Sequence, residues 1–451
     1  MRVHFIAIGG SVMHQLAIAL KHKGFDVTGS DDEIFEPAST NLEIEGILPP
    51  QKGWFPEKIS ADIREVILGM HAKEDNPELI KATQLGLKVF SFPEYIYRVS
   101  EKKKRVAIGG SHGKTTTTAM IMHVLKHLRR DFDYLVGARL EGFDQSVKIT
   151  NAPLIICEAD EYPASVIEKR PKFHFLHPHV AVITGIAWDH INVFPTFAFY
   201  LKQFTIFIEK IEKGGLLIYN ATDKILKDLV RDCKRSDIRY VGYALPLHII
   251  DNGITRVTLG DESINLKIFG NHNLLNLQAA FHVCKDLGIS NHDFALSIAG
   301  FAGAAKRLEL LAEKKDCNIY RDFAHAPSKV KASVDGVKLQ FPDRKLVAVL
   351  ELHTFSSLTA QFMLEYSGAM ENADTAIVFF SKHALELKRM PPLEIQVVKE
   401  GFNKPGLEVI TVRQQLEEKL KSLKIQNTNF LFMSSGNYEG MDISKVMDVS
   451  E

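Results

Sequence analysis

The stretch VAIGGSHGKTTTTAM, Val106 to Met120, gathers the residue types that hold phosphate. A short apolar run enters a glycine-rich turn, and Lys114 and Thr115 then open a segment of helical character. The N–H groups of such a turn and the positive end of the helix dipole converge on one point, which suits an anion. The Lys114 ammonium can reach terminal phosphates, and the Thr115 hydroxyl can ligate Mg²⁺. The common phosphate loop carries one more glycine, five residues before the glycine that precedes the lysine. Here that place is Ile108, and the glycines stand at Gly109, Gly110 and Gly113.

Acidic and amide groups follow at spacings that could serve the same chemistry. Glu158 ends the apolar run PLIICEADE, and the C-terminal ends of parallel strands line ligand crevices. Asp160 and Glu161 come next, so up to three carboxylates can face a metal, the alternative being a solvated turn. His190 ends VAVITGIAWDH, where a histidine can orient a metal or phosphate or be structural. Asn273 and Asn276 in GNHNLLNLQAA are one helical turn apart and share a face. Their amides can read a base edge, or Asn273 can cap the helix. Arg307 in KRLE, and Asp322 and His325 in YRDFAH, complete the set. At the N-terminus, IGGSVMHQLA is a second glycine turn, with Asp31 and Asp32 after the next strand. With Gly10 as the middle glycine of a dinucleotide fingerprint, the outer places fall on Ile8 and Met13. The turn therefore predicts phosphate binding, with a nucleotide diphosphate as good an occupant as a nicotinamide cofactor.

Positioning these groups calls for parallel sheets. Short apolar runs alternate with helical patterns: VHFIAIGG, FDVTGSDD, REVILGM and KVFSF in the first hundred residues, then VAIGG, PLIICEADE, VAVITGIAWDH and GGLLIYNATD. A third region carries CNIYRDFAHAP, KLVAVLELH, TAIVFF and TNFLFMSS. That alternation predicts an α/β protein with helices on both faces of each sheet. The charged run SEKKKR, Ser100 to Arg105, reads as a linker. A chain of 451 residues exceeds one ordinary core, so two or three domains are expected. Lys plus Arg equals Asp plus Glu at 55 each, which gives no global charge for nucleic acid or a membrane surface. The four cysteines lack metal-ligand spacing and suit free thiols in a cytoplasmic protein. No apolar run is long enough to span a bilayer.

The order of the motifs GGSHGKTTTT, EADEY, WDH, NHNLLN, KRLE and DFAHAP resembles that of the Mur ligase family, over essentially the whole chain. These are the ATP-dependent amide-forming enzymes of peptidoglycan assembly, and their phosphate loop lacks the distant first glycine. The resemblance implies three α/β domains. Residues 1–102 would be a Rossmann-like domain for the UDP-sugar, and 103–303 a central P-loop ATPase-type domain with a mostly parallel sheet. Residues 304–451 would be a Rossmann-like domain contributing to ATP and amino-substrate binding. It implies Gly110, Ser111, His112, Gly113, Lys114, Thr115 and Thr116 around the ATP phosphates, with Thr115 on Mg²⁺ and Glu158 and His190 at a second metal site. Asn273 and Asn276 would lie at the adenine, Arg307 on the γ-phosphate and Asp322 at the ribose, in a site completed by domain closure. Gly9, Gly10, Ser11 and Met13 would face the UDP diphosphate, and Ser30, Asp31, His71 and Asn76 the uridine and sugar. His325 would lie with the substrate.

Within the family, GSD and EADEY resemble the branch whose nucleotide substrate is UDP-N-acetylmuramate. The segment KRPKFHFLHP, with VFPTF and FMSSGNYEG, resembles recycling ligases that attach the intact tripeptide L-Ala-γ-D-Glu-meso-diaminopimelate rather than L-alanine. The departures fall on the amino-substrate side: Ala326 replaces the second histidine of a common pair, Arg321 the first acid of another, and ELHTFSS an arginine-bearing segment. Lys202 and Lys210 follow the WDH motif, but neither stands where other branches carry a modified lysine. The expected partners are UDP-N-acetylmuramate and a peptide or amino-acid acceptor, with the chain a monomer or weak dimer. The L-alanine ligase is the nearest alternative, and a P-loop kinase or regulatory NTPase the alternative of another class.

Overall fold

The computed structural model describes residues 1–137, 140–165, 167–188, 193–233, 235–304 and 307–447. They form two compact units, residues 1–244 with 276–290, and residues 245–275 with 291–451.

The first unit carries two sheets. In one, β1 (Arg2–Ile6), β2 (Asp26–Ser30), β3 (Ile63–Leu68) and β4 (Lys88–Ser91) are parallel in the order β2-β1-β3-β4. The other holds β5 (Lys104–Gly109), β6 (Asp133–Leu135), β7 (Val147–Lys148), β8 (Leu154–Glu158), β9 (Val180–Ile183), β10 (Leu216–Asn220) and β11 (Arg239–Tyr243). Its order is β11-β10-β9-β5-β8-β6-β7, antiparallel only between β6 and β7. The inner strands are continuously apolar because both faces are covered: Val106, Ile108, Ile155, Ile156, Val182 and Ile183 are fully buried. The phosphate loop leaves the C-terminal end of β5, between β9 and β8. Parallel order thus brings that loop, Glu158 and the residues after β9 to one sheet edge.

The second unit holds the antiparallel meander β12 (His248–Asp251), β13 (Ile254–Leu259) and β14 (Glu262–Leu266). It also holds a six-stranded sheet in the order β15-β16-β20-β17-β18-β19, from β15 (Glu309–Lys314), β16 (Cys317–Asp322), β17 (Lys345–Glu351), β18 (Thr375–Phe379), β19 (Glu408–Ile410) and β20 (Thr428–Met433). Only the β15–β16 pairing is antiparallel. The meander is not among the elements expected from the sequence. Its alternation is blurred, because Ile254 points outward while Thr255 is buried and bonded to Gln340.

The linker expected at Ser100–Arg105 is corrected. Ser100 ends the helix Phe92–Ser100 and β5 begins at Lys104. Lys103 is buried, donating to Asp133 at 2.7 Å and to the Thr150 and Ala152 carbonyls at 2.9 and 2.7 Å. Arg105 is buried too, donating to the Leu176, Ser100 and Glu101 carbonyls and to Glu212. Buried charges persist only when paired and hydrogen-bonded, and both are. The junction is a rivet, not a spacer.

Candidate active site

The loop after β5 is shaped by glycines where side chains have no room. Gly110 has φ +122°, and a Cβ there would stand 2.3 Å from Thr184 Oγ1. Gly113 has φ +79°, and a Cβ would stand 2.2 Å from Asn276 Oδ1. Both conformations favour glycine. The helix Lys114–His127 starts at once, so the N–H groups of its first turn point to the loop's concave side.

Three side chains fix the loop from behind. The Thr184 hydroxyl donates to the His112 carbonyl and, at 3.2 Å, to that of Gly109. Ser111 N donates to the Gly185 carbonyl at 2.9 Å, and Ser111 Oγ accepts from Ala187 N at 2.8 Å. The Tyr200 hydroxyl lies 2.8 Å from Ser111 Oγ and 3.4 Å from Glu161 Oε1, and Tyr200 is fully buried. Sequence reasoning missed Thr184 and Tyr200. Tyr200 lies in the stripe FAFYLKQF, which reads as ordinary core packing.

Lys114 Nζ donates to Glu161 Oε2 at 2.7 Å and to the Gly110 carbonyl at 2.6 Å. Burial pushes the Lys114 ammonium down, but Glu161, Asp160 and Glu158 outweigh it and hold it above the ordinary lysine range. The side chain is therefore a cation near neutrality. Thr115 Oγ1 donates to Glu158 Oε1 at 2.8 Å, and Glu158 Oε2 accepts from Gly137 N at 3.1 Å. The expectation of three carboxylates on a metal is narrowed. Asp160 pairs with Lys172 at 2.8 Å and Glu161 with Lys114, which leaves Glu158 beside the Thr115 hydroxyl. Among the described residues no three His, Cys, Asp or Glu side chains gather to hold a metal unaided. His190 lies outside the described residues. Thr116 is buried in the helix.

Asn276 abuts Gly113. Asn273 does not cap its helix, which begins at Asn271; its amide donates back to the Phe269 carbonyl at 2.9 Å. In the second unit, the Arg307 guanidinium stacks on Phe323 at 4.9 Å. Asp322 ends β16, accepting from Ala324 N at 3.2 Å and from the Ser333 hydroxyl. His325 Nδ1 donates to the Phe323 carbonyl at 2.8 Å.

At the first sheet, Gly9 N donates to Asp31 Oδ2 at 2.7 Å, linking the glycine turn to the end of β2. Burial pushes the Asp31 carboxyl up to about 6, against the Gly9 hydrogen bond and with help from Asp32. Ser11 and His71 are exposed, and Gly9 and Gly10 half-buried. Ser30 Oγ accepts from Lys58 Nζ at 3.3 Å. Two expected contacts are partly committed elsewhere. Met13 packs into the core beneath Gly10, and Asn76 Oδ1 caps the helix Pro77–Gln84 by accepting from Glu78 and Leu79 N–H. Lys58 was not foreseen, because a lysine in QKGWFPEK carries no motif signal.

Three family profiles match the chain in succession: a Mur ligase catalytic domain over residues 2–104, a Mur ligase middle domain over 108–284 and a Mur ligase glutamate ligase domain over 306–436. A UDP-N-acetylmuramate–L-alanine ligase of Carboxydothermus hydrogenoformans is 31% identical over 415 residues, covering 90% of this chain and 87% of the relative. Among solved structures, a murein peptide ligase of Psychrobacter arcticus aligns with TM-score 0.64 and 23% identity over 100% of both chains. A UDP-N-acetylmuramate–alanine ligase of Thermotoga maritima aligns with TM-score 0.67 and 22% identity, over 98% of this chain and 97% of its own. The two structural likenesses speak to the fold. Among the described residues no helix is long and apolar enough to cross a membrane. With three matching domains in order and a relative similar over most of its length, this chain belongs to the Mur ligase family of ATP-dependent acid–amino-acid ligases.

Proposed function

We propose that the chain joins the carboxylate of UDP-N-acetylmuramate to the L-alanyl amine of L-Ala-γ-D-Glu-meso-diaminopimelate, as a murein peptide ligase of peptidoglycan recycling. The γ-phosphoryl of ATP passes to a carboxylate oxygen and ADP leaves. The acceptor nitrogen then attacks the acyl carbon, the carbon–oxygen bond to phosphate breaks, and the amine loses a proton. Such chemistry needs charge neutralisation and positioning more than covalent help. Lys114 supplies fixed positive charge, and Ser111, Thr184 and Tyr200 keep the loop in shape. The Thr115 hydroxyl and the Glu158 carboxylate, 2.8 Å apart, are hard oxygen donors that fit Mg²⁺. Bound there, Mg²⁺ would neutralise phosphate charge. Arg307 and Asp322 are assigned to the γ-phosphate and ribose, and Gly9, Gly10 and Asp31 to the UDP end. Residues 1–102, 103–303 and 304–451 are assigned as the three functional domains.

The observation that carries the choice of acceptor is the crossover between β8 and β9. KRPKFHFLHP is a built element there, not a floppy insertion. Phe173 is fully buried, stacked on Phe207 at 4.7 Å and edge-on to Phe204 at 5.5 Å. The chain doubles back so that Ala164 N donates to the Arg170 carbonyl and Lys172 N to that of Tyr162. The L-alanine ligase is the second reading, favoured by the name of the sequence relative above. Competition between equimolar L-alanine and tripeptide tests the choice. The reading expects the tripeptide adduct to dominate, and a predominance of the L-alanine adduct would refute it.

A further inference from the structure

The glycine turn after β1 spends several of its N–H groups inside the fold. Ala7 N and Ile8 N donate to the Ser30 carbonyl at 2.9 and 3.1 Å, and Gly9 N donates to Asp31. Ser11 is exposed, and its N–H donates to no group among the described residues. The direction of that N–H is set by the peptide it shares with the Gly10 carbonyl. The bond between them is trans, and in a trans peptide C=O and N–H point opposite ways. A Gly10 carbonyl held inward therefore turns the Ser11 N–H outward.

Two donors hold that carbonyl, and both belong to His14 in the first turn of the helix Met13–His22. His14 N donates at 3.0 Å and the ring Nδ1 at 2.9 Å. A carbonyl only accepts, so Nδ1 carries the proton and Nε2 is left as an acceptor. The neighbours of Nε2 agree: the Gln15 amide donates to it at 2.9 Å and the Asn41 amide at 3.4 Å. Burial holds the ring below the ordinary imidazole range, against the pull of the Gly10 hydrogen bond, so it is uncharged near neutrality. Gln15 is pinned in turn, because its Oε1 accepts from Ser146 N at 3.3 Å.

The simplest account of His14 is core packing, since its side chain is buried in the first unit. An apolar residue would serve that purpose better, and the bond from His14 N would survive in any helix. The ring adds a second donor, which occupies the other lone pair of the same carbonyl. Both nitrogens are committed, so the ring and the peptide it holds have one orientation.

Resting on the assignment of this turn to the UDP end, we propose that His14 is a positioning residue for the nucleotide-sugar substrate. Its ring keeps the Gly10–Ser11 peptide turned so that the Ser11 N–H donates to a diphosphate oxygen, and Gln15 keeps the ring in the tautomer this requires. A backbone N–H at the start of a helix suits an anionic oxygen. His14 itself touches no substrate.

The test is steady-state ligation by wild type, His14→Leu and His14→Asn, with saturating tripeptide or L-alanine as acceptor. Leucine fills the space and has no donor. Asparagine carries Nδ2 on the carbon that bears Nδ1 in histidine, so it can keep the bond to Gly10. The proposal expects His14→Leu to raise KM for UDP-N-acetylmuramate roughly tenfold, while KM for ATP stays within about twofold and kcat within about threefold. His14→Asn should restore most of the lost affinity. Equal losses in the two variants, or equal losses for both substrates, mean damaged packing and overturn the assignment, as does an unchanged KM in His14→Leu. A reading on wild type stands even where His14→Leu does not fold. With glycine carbonyl ¹³C and serine ¹⁵N labels, the Ser11 amide resonance is identified by its loss in Ser11→Ala. It should move downfield with UDP and stay in place with uridine. A Ser11 resonance indifferent to UDP, in a chain that still ligates UDP-N-acetylmuramate, overturns the assignment alone. Failure of wild type to ligate UDP-N-acetylmuramate to either acceptor overturns the functional reading, and this assignment with it.

Discussion

Replacing Gly113 by alanine strains the loop in two separable ways. At φ +79° an L side chain costs about 1–2 kcal/mol, because its Cβ crowds the backbone. That Cβ would also stand 2.2 Å from Asn276 Oδ1, an overlap that must be relieved by moving the helix or the loop. Overpacking of this kind costs about 1–3 kcal/mol. Together they give about 2–5 kcal/mol. Asn276→Ala removes the oxygen that the new methyl meets, so Gly113→Ala/Asn276→Ala should recover the overpacking part and keep the backbone part. Calorimetric melting of the four proteins of this cycle should rank Gly113→Ala lowest, with a coupling of about 1–3 kcal/mol favouring the pair. ATP KM should rise at least about tenfold in Gly113→Ala, because the N–H cradle shifts with the loop. A double variant that melts no higher than the single one would refute the close approach of Asn276. An unchanged ATP KM would refute the loop as the phosphate site.

Three further outcomes follow. Lys114→Ala should lower turnover by about a hundredfold or more and, because the fully buried Glu161 carboxylate lies 2.7 Å from its ammonium, should also lower the melting temperature; phosphate release assayed well below that temperature reads the loss, and near-normal turnover contradicts the role of Lys114. Lys103→Met leaves Asp133 buried and unpaired and should cost about 3–5 kcal/mol in denaturant unfolding, whereas a solvated linker lysine would cost almost nothing. The Asp31 carboxyl is raised from 3.8 to about 6, so the folded state binds its proton more tightly than the unfolded chain. Its stabilisation is complete below about pH 4 and is lost as pH rises through about 6, a decline on the order of 3 kcal/mol. Asp31→Asn, which keeps an acceptor for Gly9 N–H, should flatten that part of the stability–pH curve; an unchanged slope would contradict the buried-carboxyl reading.

The legible part of the site is the contiguous part. Lys114, Thr115 and Gly113 lie within three residues, and their roles follow from one strand–turn–helix unit whose geometry is local. Glu158 was readable because an acid at the end of an apolar run must emerge at the edge of a parallel sheet. Tyr200 and Thr184 were not. Their hydroxyls reach the loop only through the crossing of distant segments, and nothing in FAFYLKQF or VITGIA sets those residues apart. Asp160 and Glu161 were visible as acids, but their partners were not: Lys114 and Lys172 stand on separate elements. The same limit explains SEKKKR. A charged run usually means solvation, and only the fold reveals that Lys103 and Arg105 point inward to carbonyls and carboxylates. The meander at 248–266 hid for a simpler reason, an outward Ile254 and an inward Thr255 that break strict alternation.

Under the proposed function, this chain uses ATP to activate the carboxylate of UDP-N-acetylmuramate for attack by the tripeptide amine. That activation is tested most directly by mass spectrometry on UDP-N-acetylmuramate labelled with ¹⁸O in that carboxylate, incubated with ATP, Mg²⁺ and the tripeptide. The account requires the UDP-N-acetylmuramoyl-tripeptide adduct, ADP, and one labelled oxygen transferred to inorganic phosphate. Unlabelled phosphate, or ATP hydrolysis with no adduct, would contradict it.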